Sequence, residues 1–317
     1  MKAVLLDWAT MGPDLDVSEM RALLPDLTLF DETEPHEMAE RIADAEVVLG
    51  NKVLLRDTLM DGAPNLKFIG LTATGVDNVD IDAARERGIA VCNIRAYCTQ
   101  SVAEHVFGCL LSLAHSLDDY VSDVRRGAWQ DADRFCFLTH PISELSEMTL
   151  GLVGYGELGQ GVARVARAFG MEVIIAARPG SSGVPADRVP FDELLRRSDV
   201  ISVHCPLTDV THGLFGAREF QRMKKTAILI NTARGALVDS QALAVALRTG
   251  EIRAAAIDVL PKEPPVDGDP LLDYEGSNLI VTPHIAWGTR RARQNAIDEL
   301  TANIAAWLDG KRRCRVD

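Results

Sequence analysis

The feature that most constrains the fold is a set of glycines at fixed spacing, Gly154-Tyr155-Gly156-Glu157-Leu158-Gly159, placed after the apolar stretch LGLV and before the amphipathic GVARVARAFG. The first glycine permits a tight turn, the second admits a pyrophosphate close to the backbone, and the third lets a helix pack on the preceding strand. Free N–H groups at the helix start then suit phosphate oxygens. Glycine turns are common, so G-x-G-x-x-G alone is weak evidence. An apolar strand before it and a helix after it turn the pattern into a dinucleotide-binding strand–turn–helix unit.

Around this motif the chain repeats one rhythm. Short apolar runs at 2–6, 47–49, 68–71 and 89–92 alternate with helical patterns, and a second series has strand-like runs at 150–153, 173–176, 200–204, 227–231, 254–259 and 279–282. That alternation is the βα signature of parallel sheets, and 317 residues suit two domains better than one core. The expected fold is α/β, with two doubly wound parallel-sheet domains and a cleft between them. Ser101 and Glu104 have capping-box spacing, and Val102, Val106, Leu110, Leu113 and Leu117 recur at helical intervals, which predicts one long helix. Residues 118–148 read as an excursion carrying Tyr120, Trp129, Phe135 and Phe137, an arm suited to a homodimer. Residues 289–308 place Ala292, Ala296, Leu300, Ile304 and Trp307 on one helical face, and this helix is expected to return to the first lobe. The expected domains are therefore 1–98 plus 287–317, and 99–286.

A formal charge of −13 repels phosphate backbones, so no nucleic-acid partner is expected. The cysteines at 92, 98, 109, 136, 205 and 314 form no C-x-x-C pair, so neither a disulfide framework nor a metal site is expected. No apolar run approaches the roughly 18 residues of a membrane span, and the opening MKAVLLDWATMGPDLD carries no export pattern. A cytoplasmic protein without a membrane partner is expected.

About 20 residues beyond the last glycine, an NAD site carries an acidic residue for the ribose 2′-hydroxyl. Arg178 stands there instead. A guanidinium pairs with a 2′-phosphate, which opens the site to NADP(H) as well as NAD(H). Further motifs fall at the ends of the later strands: His204-Cys205-Pro206-Leu207-Thr208, Asn231-Thr232-Ala233-Arg234-Gly235 with Leu237-Val238-Asp239, Ile257-Asp258-Val259-Leu260 with Glu263-Pro264-Pro265, and Thr282-Pro283-His284-Ile285-Ala286-Trp287. Together with Thr72-Ala73-Thr74-Gly75-Val76-Asp77-Asn78-Val79-Asp80, this ordered set resembles the D-isomer-specific 2-hydroxyacid dehydrogenase family over most of the chain. In detail GNKV, TATGVDNVD, GYGELG, AARPG and PHIAW look most like its bacterial glycerate dehydrogenases, also called hydroxypyruvate reductases.

The resemblance implies a flavodoxin-like substrate domain and a Rossmann NAD(P)-binding domain. It implies reversible reduction of hydroxypyruvate or glyoxylate to D-glycerate or glycolate; another 2-keto acid, or a dinucleotide-sensing regulator of the same fold, are the alternatives. Arg234, Glu263 and His284 are the implied catalytic residues: the arginine grips the substrate carboxylate, the histidine exchanges a proton with the substrate oxygen, and the glutamate pairs with the histidine. The chemistry agrees, because hydride addition to a ketone leaves charge on oxygen and histidine is the side chain suited to supplying a proton near neutral pH. Implied cofactor contacts are Gly154, Tyr155, Gly156, Glu157, Leu158, Arg178, His204, Pro206, Thr211, Thr232, Ala233, Arg234, Asp258 and His284. Asp258 is expected at the nicotinamide carboxamide. Substrate contacts come from Thr74, Gly75, Arg234 and His284. His204 reads as a residue lining the cofactor site rather than a catalyst, His105 as a helix residue with a local partner, and Cys205 as buried and inert. Ser240, where many relatives are acidic after Leu-Val-Asp, puts helix capping in question.

Overall fold

A computed structural model describes residues 1–181 and 183–317. The chain divides into two compact units, Met1–Cys98 with Gly288–Asp317, and Thr99–Trp287.

The first unit runs β1 (Lys2–Leu5), α1 (Ser18–Leu23), β2 (Asp26–Leu29), α2 (Met38–Ile42), β3 (Val47–Gly50), α3 (Asp57–Asp61), β4 (Phe68–Leu71), α4 (Ile81–Glu86) and β5 (Ala90–Cys92). Its parallel sheet has the order β2-β1-β3-β4-β5, the doubly wound flavodoxin-like arrangement. β1, β3, β4 and β5 are near-continuous apolar runs because helices cover both faces of a parallel sheet. β2 is absent from the sequence reading. It is an edge strand in which only Leu27 is buried, so its apolar signal is a single residue.

The second unit runs α5 (Thr99–Ala114), α6 (Leu117–Arg125), β6 (Thr149–Val153), α7 (Glu157–Ala168), β7 (Glu172–Ile175), α8 (Phe191–Arg197), β8 (Val200–Val203), α9 (Ala217–Arg222), β9 (Ile228–Asn231), α10 (Ser240–Thr249), β10 (Ala254–Ile257) and β11 (Leu279–Val281). The sheet order is β11-β10-β9-β8-β6-β7, all parallel. One parallel rung, Ala176 to Val189, extends it beyond β7.

The long helix expected from Ser101 to Leu117 is two helices. Ser116 takes a left-handed φ of 49°, so the chain breaks there and Leu117 opens α6. The expected capping box is also absent: α5 starts at Thr99, and the Ser101 hydroxyl is buried, donating to the Ala286 carbonyl at 2.7 Å. Ser101 therefore ties α5 to the segment after β11, a long-range contact that local spacing cannot report.

The closing helix α11 (Arg290–Leu308) is capped by Thr289, whose hydroxyl accepts from Ala292 N. It lies on β4: a Cβ at Gly70 would stand 2.6 Å from Leu300 Cδ1, and the Phe68 and Trp307 rings are 4.9 Å apart. Burying Leu300 contributes roughly 1.5–3 kcal/mol to seating the helix on the first sheet. Among the described residues no helix is long and apolar enough to cross a membrane.

Candidate active site

The turn from β6 to α7 shows why its glycines stand where they do. Gly154 has φ +100°, and a Cβ there would lie 2.5 Å from His204 C and Cys205 N, so the turn is pressed onto the end of β8. A Cβ on Gly159 would lie 2.4 Å from the Gly154 carbonyl oxygen, which keeps α7 against the turn. Gly156 caps the helix with nothing within 4 Å of its Cβ position, so a ligand backbone can approach it closely. Gln160 N donates to the carbonyl of the capping Gly156 at 2.9 Å, and the earlier N–H groups of α7 point out of the helix start. Two buried polar atoms at neighbouring strand ends, His204 Nδ1 and Thr232 Oγ1, have no hydrogen-bond partner in the protein. Open backbone, helix N–H groups and orphaned polar atoms together fit a dinucleotide.

His204 donates to or accepts from Ser202 Oγ through Nε2 at 2.8 Å, and burial pushes its pKa down to about 4. Cys205 is buried with its thiol pushed up to about 11, which keeps it unreactive at neutral pH. Pro206 and Thr211 belong to one braced loop: Thr211 Oγ1 donates to the Pro206 carbonyl at 2.8 Å and accepts from Thr208 N. Arg178 lies exposed just past β7.

Three further strand ends converge within this unit. At β9, fully buried Asn231 shapes the turn, its amide donating to the Arg234 carbonyl at 2.9 Å and its oxygen accepting from Ala233 N at 3.0 Å. Gly235 follows because any Cβ there would sit 2.0 Å from Leu260 C. The β9 and β10 turns are thus in backbone contact, which sets Arg234 beside the segment leading to Glu263. At β10, Glu263 Oε1 accepts from Leu260 N at 2.9 Å, while Oε2 meets His284 Nδ1 at 2.6 Å. At β11, His284 has a left-handed φ of 56°, a conformation that costs a non-glycine residue about 1–3 kcal/mol. Asp258 offsets that cost. It is buried, its Oδ1 accepts from Thr282 Oγ1 (2.5 Å) and Ile285 N (2.8 Å), and its Oδ2 accepts from Ala286 N (2.9 Å). The carboxylate expected at a nicotinamide carboxamide also pins the turn that aims His284. Trp287 Nε1 donates to the His284 carbonyl at 2.9 Å and locks the turn from its far side. A cavity of about 420 Å³ opens beside the pair, lined by Leu260, Pro264, Pro265, Leu272, Val281 and Pro283.

His105 sits on α5 with its Nε2 3.2 Å from Thr282 Oγ1 and 3.7 Å from Asp258 Oδ1. Ser240 does not cap α10; Asp239 does, accepting from Ala242 N, while the Ser240 hydroxyl bonds Asp269. In the first unit, Thr74 and Gly75 follow β4, and the Thr74 carbonyl accepts from Asn93 Nδ2 at 2.7 Å. Sequence reasoning missed Asp7 there. Its buried carboxylate accepts from the backbone N–H groups of Asn51, Lys52 and Val53 at 2.6–3.2 Å, holding the loop after β3. An isolated aspartate after an apolar run gives no signal for such a long-range nest.

A nucleotide-binding Rossmann unit that gathers a histidine–carboxylate pair and an arginine at its strand ends defines a nicotinamide-dependent oxidoreductase. The family model for the NAD-binding domain of D-isomer specific 2-hydroxyacid dehydrogenases matches residues 107–286. A glycerate dehydrogenase of Methylorubrum extorquens is 43% identical over 277 residues, covering 87% of each chain. A hydroxypyruvate reductase of Blautia hydrogenotrophica is 36% identical over 317 residues, covering 98% of each. A crystal structure from Thermus thermophilus superimposes with a TM-score of 0.86 at 34% identity over the whole of both chains. The chain belongs to the D-isomer-specific 2-hydroxyacid dehydrogenase family.

Proposed function

We propose that this enzyme reduces small 2-keto acids, hydroxypyruvate and glyoxylate foremost, to D-glycerate and glycolate. The observation that carries the reading is the His284–Glu263 contact at 2.6 Å, with Glu263 anchored to Leu260 N and Arg234 fixed next to it through Gly235. A nicotinamide dinucleotide, NAD(H) or NADP(H), would supply or accept the hydride when bound. Thr232, Ala233, Pro206 and the Gly154 turn would hold it. Glu263 holds the His284 Nδ1 proton, so Nε2 faces the substrate and delivers its proton to the forming alkoxide. Arg234 receives the substrate carboxylate with a planar fork. Similarity to a glycerate dehydrogenase and a hydroxypyruvate reductase supports small polar 2-keto acids as the substrate class.

The arm at 118–148 exposes Trp129, Phe135, Leu138 and Ile142, a surface suited to a second copy of the chain, so the enzyme works as a homodimer. Its free cysteines suit a reducing cytoplasm. The test is a panel of hydroxypyruvate, glyoxylate, pyruvate and phenylpyruvate, each with NADH and NADPH, followed at the nicotinamide absorbance. Turnover should be fastest with the first two. His284→Gln should lower it by roughly two to four orders of magnitude while dinucleotide binding persists. Absence of turnover with all four acids and both dinucleotides would overturn the reading.

A further inference from the structure

A second guanidinium stands against the glycine-rich turn. Arg188 Cζ lies 4.9 Å from the centroid of the Tyr155 ring, the residue between the first two glycines. Its backbone belongs to the far edge of the sheet: Val189 N donates to the Ile175 carbonyl at 2.9 Å and the Val189 carbonyl accepts from Ala177 N at 2.8 Å, so residues 188–189 run alongside the end of β7. Tyr155 belongs to the other neighbour, the turn after β6. Two strand spacings, about 10 Å, separate those neighbours. To reach Tyr155 the Arg188 side chain must therefore cross the carboxyl end of β7, and that is where Arg178 leaves the sheet.

We propose that Arg188, stacked on Tyr155, and Arg178 form a two-arginine site for the 2′-phosphate of an adenosine 2′-phosphate dinucleotide. The pyrophosphate is served by the start of α7, whereas the end of β7 is the side on which the ribose 2′ substituent lies. Two features favour a phosphate there over a hydroxyl. Residue 178, where an NAD site carries the acid that accepts from a 2′-hydroxyl, is arginine. The acid nearest Arg188 in sequence, Asp187, pairs with its Nε at 3.3 Å and is itself 71% exposed, so the pair is weak and leaves both Nη groups for a ligand. Glu157, the acid on the turn, is engaged by Thr99 Oγ1 at 2.7 Å. The face of the Tyr155 ring, 4.9 Å from the guanidinium carbon, helps to hold the cation at the turn. In a chain of net charge −13, two arginines converging on one strand end form a local basic site.

The inference rests on the Gly154 turn being the dinucleotide site, and binding of nucleotide fragments separates the two claims without turnover. The full-length protein is titrated calorimetrically with adenosine 2′,5′-bisphosphate and with 5′-AMP. The wild type should bind the bisphosphate at least about tenfold more tightly, the scale of a charge-assisted pair. Arg188→Ala should cut that preference by about tenfold, Arg188→Lys should recover part of it, and Tyr155→Leu should reduce it by removing the platform. If the wild type binds both equally, or if Arg188→Ala leaves the preference unchanged or weakens both fragments alike, the two-arginine site is wrong. Failure of the wild type to bind either fragment would overturn the dinucleotide reading of the turn as well.

Discussion

Replacing Glu263 by glutamine removes one charge and almost no volume, and the geometry says what it costs. Both carboxylate oxygens accept: Oε1 from Leu260 N at 2.9 Å, and Oε2 from His284 Nδ1 at 2.6 Å. An amide has one acceptor oxygen and one donor nitrogen. Turned with its oxygen to Leu260, it presents NH₂ to Nδ1, which then must lose its proton to accept. The remaining neutral tautomer carries its proton on Nε2 and cannot release it to an alkoxide. Turned the other way, the amide sets its NH₂ against the Leu260 N–H. Either arrangement forfeits one satisfied group, worth about 1–3 kcal/mol, or roughly 5- to 150-fold in rate. Steady-state kcat/KM for hydroxypyruvate reduction should fall in that range, with the affinity for dinucleotide unchanged because Glu263 lies outside the Gly154 turn. A variant within threefold of wild type would refute the argument that the carboxylate sets the tautomer.

Gly235→Ala should lower Tm by several degrees and turnover by more than tenfold, because the added methyl would overlap Leu260 C at 2.0 Å and overpacking costs about 1–3 kcal/mol while moving Arg234; calorimetry showing an unchanged Tm would contradict the close turn contact. His204 makes the fold sensitive to acid, since its folded pKa of about 4 lies below the unfolded value of 6.5. Above the unfolded value both states are neutral and nothing is lost. As pH falls below it, the unfolded chain binds a proton that the fold refuses, which removes about 1.4 kcal/mol per pH unit and about 2 kcal/mol between pH 6.5 and 5. Urea unfolding of wild type and His204→Asn at pH 7 and 5 should show the variant losing less stability by about that amount, and parallel losses would show that His204 does not carry the term.

Much of the site was legible because local spacing encodes it. The Gly154, Gly156 and Gly159 pattern states where a backbone must approach a phosphate, and continuous apolar runs mark strands buried on both faces. Arg234, Glu263 and His284 could be picked out through the family resemblance that their strand-end motifs carry. Their mutual distances could not. The 2.6 Å contact between His284 and Glu263 depends on β10 and β11 being neighbours, on Gly235 admitting the β10 turn, and on Asp258 holding His284 at positive φ. Ser101 has the spacing of a helix cap yet its hydroxyl bonds Ala286, 185 residues away. The break at Ser116 turned one expected helix into two, and β2 formed at an edge where a single buried leucine suffices. Asp7 and Arg188 gave no signal at all, since each is defined by partners brought together through sheet order. Periodicity reports which face of an element is apolar; which polar groups meet at its end is decided by tertiary packing, because those contacts join residues with no shared local pattern.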